Sequence, residues 1–315
     1  MLALLPCPDK DRRVTRPHRP LFALGLRLAA VAVLATLTMT VKYTVERGVA
    51  FPEVLFWRQI ITVPILLGWL ALRRQTGRLA TRRLPAHFTR ALMGAVGMGF
   101  TFGAPVLLPL AEAVTLGFTT PIFAVIFSAL LLKEKIGPYR WAAVLLGFCG
   151  VLVIARPDGH LPPFGSLVGL GAGLMVALIS IQVRDLTRTD EPLSIVFWFA
   201  ALSTPALALF LPFYATAHTG EQWLLIGAIG VLGCAGQLLL TASLRFGQVA
   251  TVIVMDYTAL AWACLYGWTI WGEVPAESTW LGAPLILAAG LIIVWREHRL
   301  GKQPAPAGTL AAPPG

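Results

Sequence analysis

Charge is scarce in this sequence. Only 13% of its 315 residues are charged, against roughly 25% in a soluble globular domain, so most of the chain cannot present a soluble surface. Acids are the scarcer sign, with 15 Asp and Glu beside 25 Lys and Arg and a formal net charge of +10. The basic residues sit in short connectors between apolar runs, which fits orientation in a membrane better than a nucleic-acid partner. Cysteine is also sparse: Cys7, Cys149, Cys234 and Cys264 have no paired spacing, so neither a disulfide framework nor a zinc site is indicated. A G-x-x-x-x-G-K-S/T phosphate loop is missing, and with it an ATP motor of that type. The histidines His18, His87, His160, His218 and His298 are scattered and form no cluster with acids. That scatter disfavours the rival class, a membrane-embedded lipid-modifying enzyme, and no cofactor, metal or catalytic residue is expected.

Apolar sequence fills the space. Hydrophobic residues make up 57% of the chain and the mean hydropathy is +0.75. Ten apolar spans can be drawn, at about 21–42, 52–72, 87–110, 113–132, 138–155, 164–183, 192–213, 222–243, 247–271 and 278–295, each near the length that crosses a bilayer. The expectation is an all-α integral membrane protein of ten transmembrane helices. A basic tail (1–20) precedes the spans and a Pro/Ala/Gly-rich tail expected to be disordered (298–315) follows them. The apolar start, Met1 to Pro8, is too short for a signal-peptide core, so the first span is expected to be retained.

Lys and Arg alternate between the connectors in a way that sets orientation. With the N-terminus inside, the inner connectors collect the basic tail, the Arg73 to Arg90 group, Lys133, Lys135, Arg140, Arg184, Arg188, Arg245 and Arg296 to Lys302. The outer loops keep only Arg47 and Arg156, with Lys42 near the outer end of the first span. Both termini are therefore expected in the cytoplasm.

The chain also repeats itself. Shifting the sequence by 139 residues places Glu134 on Glu273, Ala111 on Ala250, Gly117 on Asp256, Ser128 on Gly267 and Trp141 on Trp280. A repeat of this length implies two copies of a multi-helix module rather than a solenoid. Five spans per copy is an odd number, so the second copy enters the membrane from the opposite side. Inverted repeats of this kind are a recurring plan of secondary transporters, with the substrate site near the midplane where the halves meet.

Particular residues resemble a known family. Thr120-Pro121, the apolar helix closing on Leu132-Lys133-Glu134, and Trp141 to Arg156-Pro157 in the first copy are similar to EamA modules of the drug/metabolite transporter superfamily. Gly272-Glu273-Val274-Pro275, Trp280-Leu281-Gly282 and Trp295-Arg296-Glu297 are their counterparts in the second. The resemblance places one module at 21–156 and another at 164–297. It implies a ten-helix basket around one central cavity, with the fifth helix of each copy more peripheral. It also implies ATP-independent alternating access by a carrier of a small organic metabolite in a bacterial-type inner membrane, efflux being slightly favoured. The stretch from Asp256-Tyr257 to Arg296 is also similar to a branch containing S-adenosylmethionine uptake carriers, which is the alternative. That branch has an aromatic and basic cluster where this chain has Asp256. The partners implied are a small solute and lipid; a homodimer is left open.

Polar residues inside the spans are the site candidates. Asp256 lies about nine residues into the ninth span, near the bilayer centre, where an acid should face a cavity or a partner. It is the first choice for proton coupling or a cationic solute, against a buried polar link between helices. Arg58, between Trp57 and Gln59, could bind a carboxylate or phosphate with Trp57 stacking on an aromatic solute, or could snorkel or pair with Glu53 or Glu46. Arg27 and Lys42 are expected to snorkel. Gln237 and Tyr257 could orient a ligand or tie helices together, with Gly233 to Gly236 leaving room beside Gln237. Gln182 reads rather as a helix tie. Glu134 and Glu273 are expected at opposite membrane faces, as structural or gating helix ends. Gly99 and Gly103, then Gly165, Gly169 and Gly173, are expected at helix interfaces.

Overall fold

The computed structural model describes residues 20–130, 138–154, 162–187, 189–246 and 254–301. Helices carry nearly all of it: α1 (Pro20–Glu46), α2 (Phe51–Leu72), α3 (Leu84–Leu107), α4 (Leu110–Gly117), α5 (Thr120–Leu130), α6 (Pro138–Ile154), α7 (Pro163–Leu186), α8 (Pro192–Ala208), α9 (Gly220–Phe246), α10 (Ala259–Tyr266) and α11 (Glu277–Gly301). Prolines sit in the first turns of α2, α3, α5, α7 and α8. A missing N–H costs nothing there, because the first turn has no intrahelical acceptor for it. The described residues form an all-α membrane protein whose ten helical segments match the ten apolar spans. Six spans are long and apolar enough to cross a membrane, and α6, α8 and α11 contain shorter apolar helices. The remaining segment, the ninth, is composite.

Two spans are interrupted. The fourth breaks between α4 and α5 at Phe118 and Thr119; the ninth opens with a tight helical turn, Val254–Thr258, before α10 and ends in a wide turn, Gly267–Trp271. Under the 139-residue shift, α5 begins where α10 begins, so the two breaks are equivalent. Gly272 then takes a left-handed conformation with φ 65°, which glycine tolerates without strain, and the chain turns towards α11.

Packing repeats across the two copies as well. The pair α1–α9 is matched by α7–α3, and α2–α9 by α8–α3. Equivalent helices meet each other in α2–α8, α4–α10 and α6–α11. Each of these pairs straddles a pseudo-two-fold axis, and on that axis the rings of the equivalent residues Phe118 and Tyr257 meet edge to face, 5.2 Å between centroids. The two modules are thus inverted repeats. One apolar core lies on the α2–α8 side, with Leu37, Val54, Met98, Phe102, Phe199 and Ile229. The other lies on the α6–α11 side, with Leu116, Phe118, Val151, Ile154 and Ile286.

Glycines on α7 bring that helix close to the fourth segment. A Cβ on Gly169 would press on Leu116, and one on Gly173 would press on Thr119 and the Gly117 carbonyl. Thr120 Oγ1 donates to the Gly173 carbonyl at 3.2 Å across this contact. Gly99 faces open space, so it does not mark an interface among the described residues.

Candidate functional site

The first module is joined to the ninth segment by three polar contacts along α1. Arg27 donates to Asp256 through both Nε (2.6 Å to Oδ1) and Nη2 (2.5 Å to Oδ2). About five turns of helix separate Arg27 from the C-terminal end of α1, and between them Thr36 Oγ1 meets Tyr266 Oη at 2.8 Å. Near that end Lys42 Nζ donates to Glu273 Oε1 at 3.1 Å and to the Leu108 carbonyl at 3.3 Å, with the Trp271 ring 4.8 Å away. Parallel α1 and ninth segment thus share an ion pair at each end and a hydroxyl contact in the middle. Arg27 and Lys42 do not snorkel. Both are buried, at 6% and 4% exposure, because a carboxylate on the other module stands at the same depth. The acids remain partly open, Asp256 at 33% and Glu273 at 31% side-chain exposure.

Tyr257 stands on the axis beside this ladder. Its Oη is buried without a hydrogen-bond partner and lies against Gly290, where any Cβ would overlap it. A buried hydroxyl of this kind forfeits roughly 1–3 kcal/mol unless something else meets it.

Two arginines lie in the other core. Arg58, on α2, is 1% exposed. Its Nη1 reaches Gln59 Oε1 (2.9 Å) and Met98 Sδ (2.7 Å), and its guanidinium lies over Phe102 at 5.1 Å. It does not pair with Glu53 or Glu46. Glu53 Oε1 is taken by His218 Nε2 at 2.6 Å and by the Trp57 indole N–H at 3.1 Å, and Glu46 accepts from Trp271 Nε1 at 2.6 Å. Trp57 therefore belongs to a cluster with Trp223, centroids 5.0 Å apart, rather than to a platform beside Arg58. Arg90, on α3, is the second arginine buried in this core, 6% exposed with its guanidinium 4.2 Å from the Phe199 ring. Gln237 is half-buried one turn beyond Gly233, the residue that packs on the Arg58 side chain.

Other contacts were not legible in sequence. His218–Glu53 is a histidine–acid cluster, and His87 Nε2 stands 3.7 Å from Asp190 Oδ2 near the opposite end of the bundle, so the histidines are less scattered than their spacing implies. Glu112, buried at the start of α4, accepts from the Ala276 N–H (3.0 Å) and Thr279 Oγ1 (3.1 Å) and so caps the first turn of α11. Its only signal in the sequence is an acid inside Leu110-Ala111-Glu112-Ala113. Gln182 bonds Thr89 at 2.7 Å, tying α7 to α3. Glu134 lies outside the described residues, and among the described residues no group of three or more His, Cys, Asp or Glu side chains could hold a metal.

The profile of the EamA-like transporter family matches residues 21–156 and 163–295, one copy on each module. The chain belongs to the EamA-like transporter family. A riboflavin transporter of Rhizobium johnstonii is 30% identical over 292 residues, 90% of this chain and 94% of that protein. A pseudopaline exporter of Pseudomonas aeruginosa is 31% identical over 265 residues, 82% of this chain and 93% of that protein. An S-adenosylmethionine uptake transporter of Rickettsia prowazekii is 26% identical, covering 78% and 84%. A solved structure with 21% identity shares the fold, with a TM-score of 0.61 over 90% of this chain and 99% of the other. This EamA protein is a multi-pass membrane transporter of a small metabolite.

Proposed function

We propose that this EamA protein is a secondary carrier that moves its solute by rocking the two inverted modules about the axis through Phe118 and Tyr257. The observation that carries the reading is the Arg27–Asp256 ion pair beside the broken ninth segment, which joins the first module to the second. Interrupted helices at equivalent positions are where carriers of this plan form their sites. Asp256 is the coupling group. Protonating it removes the charge that holds Arg27, loosening the inner end of the ladder, while Lys42–Glu273 holds the outer end. Tyr257 and Gln237 supply hydrogen bonds to the solute.

Efflux is the proposed direction, supported by the pseudopaline exporter among the relatives. The chain is placed in a bacterial inner membrane with both termini cytoplasmic, supported by its Lys and Arg distribution.

The test is transport of labelled riboflavin, pseudopaline and S-adenosylmethionine into proteoliposomes under an imposed pH gradient. The paired variant Arg27→Gln/Asp256→Asn removes both charges and keeps a hydrogen bond. It should lose gradient-driven accumulation and retain downhill exchange. Accumulation at the wild-type rate would remove Asp256 from the coupling role.

A further inference from the structure

Among the described residues, Arg58 and Arg90 are cations without an anion. Both are more than nine-tenths buried, and no described carboxylate stands within ion-pair distance of either. The nearest acid along α2, Glu53, is engaged by His218 and Trp57. Asp190, near the α3 start, faces His87. Arg58 Nε and Arg90 Nε and Nη1 have no hydrogen-bond partner. The two guanidinium groups lie against one apolar core, Arg58 on Met98 and Phe102 and Arg90 on Phe199.

The direction of Arg90 sharpens the point. It lies in the second turn of α3, near the end of that helix, so an arginine relieving its own burial would reach back past the helix start. Its Nη1 instead lies beside Gly94, one turn deeper, where a Cβ would collide with it and with Phe199. Gly233 on α9 makes the matching allowance for Arg58, since a Cβ there would stand 3.0 Å from Arg58 Cγ and Nε. Glycines and aromatic faces thus hold both guanidinium groups inside the bundle, between α2, α3, α8 and α9. Met98 and Gln59, the acceptors Arg58 has, are neutral. A charge kept in the membrane interior without a counter-charge is expensive and marks a solute or ion path.

We propose that Arg58 and Arg90 bind the oxyanion of the transported solute, a carboxylate or phosphate that enters between α2, α3, α8 and α9. This rests on the reading of the chain as a carrier and names its substrate class: organic acids or phosphate esters, held by N–H donors that no described side chain meets. A planar guanidinium pairs bidentately with either group. Phe102 and Phe199 flank the guanidinium groups and give the apolar part of such a solute a surface to pack on.

The test is thermal unfolding of the purified full chain in detergent with succinate, inorganic phosphate, glucose or putrescine at low millimolar concentration and fixed ionic strength. Succinate or phosphate should raise the Tm saturably, and glucose and putrescine should not; the two oxyanions separate carboxylate from phosphate preference. Arg58→Met and Arg90→Met should abolish the shift, keep or raise the solute-free Tm, and leave Arg58→Lys with a weakened shift. The proposal is overturned if no oxyanion stabilises the wild type, if the shift persists in both Met variants, or if putrescine alone stabilises. It is also overturned if the Met variants unfold or lose solute-free stability, because the arginines would then be structural. Intact exchange of labelled solute alongside any of these results would leave the carrier reading standing.

Discussion

Replacing Asp256 with Ala leaves the Arg27 guanidinium, 6% exposed, without the two charged hydrogen bonds that hold it. Breaking a buried pair from one side costs about 3–5 kcal/mol, because the remaining charge is stranded. Water already reaches Asp256 at one-third side-chain exposure and will reach part of the vacated space, so the lower end, about 3 kcal/mol, is expected. Removing the cation is the milder change: Arg27→Met leaves a partly hydrated Asp256 and should cost about 1 kcal/mol. The double variant Arg27→Met/Asp256→Ala replaces the pair by apolar groups and should return to within about 1 kcal/mol of wild type. Thermal unfolding of the four proteins in one detergent completes the cycle. Asp256→Ala should then lie lowest, with the double variant recovering most of the loss. Equal stability of Asp256→Ala and the double variant would refute the claim that Arg27 is buried only because Asp256 meets it.

The Lys42–Glu273 ion pair should show the same asymmetry, with Glu273→Ala costing about 3 kcal/mol and Lys42→Met about 1 kcal/mol in the same unfolding assay, since the buried member is again the cation. Glu112→Ala removes the acceptor for Ala276 N–H and Thr279 Oγ1 and should cost about 1–2 kcal/mol by analogy with a lost helix cap; hydrogen exchange should accelerate at the start of α11. Gly150→Leu should destabilise by about 1–3 kcal/mol through overpacking, because even a Cβ at Gly150 would stand 2.8 Å from the Gly282 carbonyl between α6 and α11. Reporter fusions after Arg78 should be cytoplasmic and one within 216–220 external; a cytoplasmic 216–220 fusion would sink the topology.

Length and apolarity made the ten spans readable, because each must cross a bilayer and satisfy its own backbone. The repeat was readable for the same reason: Glu134 on Glu273 and Trp141 on Trp280 are sequence identities, and they need no contact to be seen. Pro121 reads as a first-turn proline and lies in the first turn of α5. What the sequence could not show was partnership. Arg27 reads as a snorkelling residue about six positions from a membrane face, and nothing local reveals that Asp256, 229 residues away, stands at its depth. Arg90 reads as one more basic residue of an inner connector, because its charge obeys the orientation rule while its side chain points the other way. The Trp57–Arg58 neighbourhood misleads for a simpler reason: adjacent residues on a helix point about 100° apart, and one faces Trp223 while the other faces Met98.

Solute counterflow is the most direct test of a carrier built from rocking inverted repeats. Proteoliposomes holding the full chain, preloaded with unlabelled solute and diluted into a trace of the same labelled solute without ATP, should accumulate label transiently above equilibrium. That overshoot requires one site to reorient between the two faces. Label that merely equilibrates, at a rate indifferent to the preloaded solute, would contradict alternating access, and label recovered as a chemically altered compound would point to an enzyme.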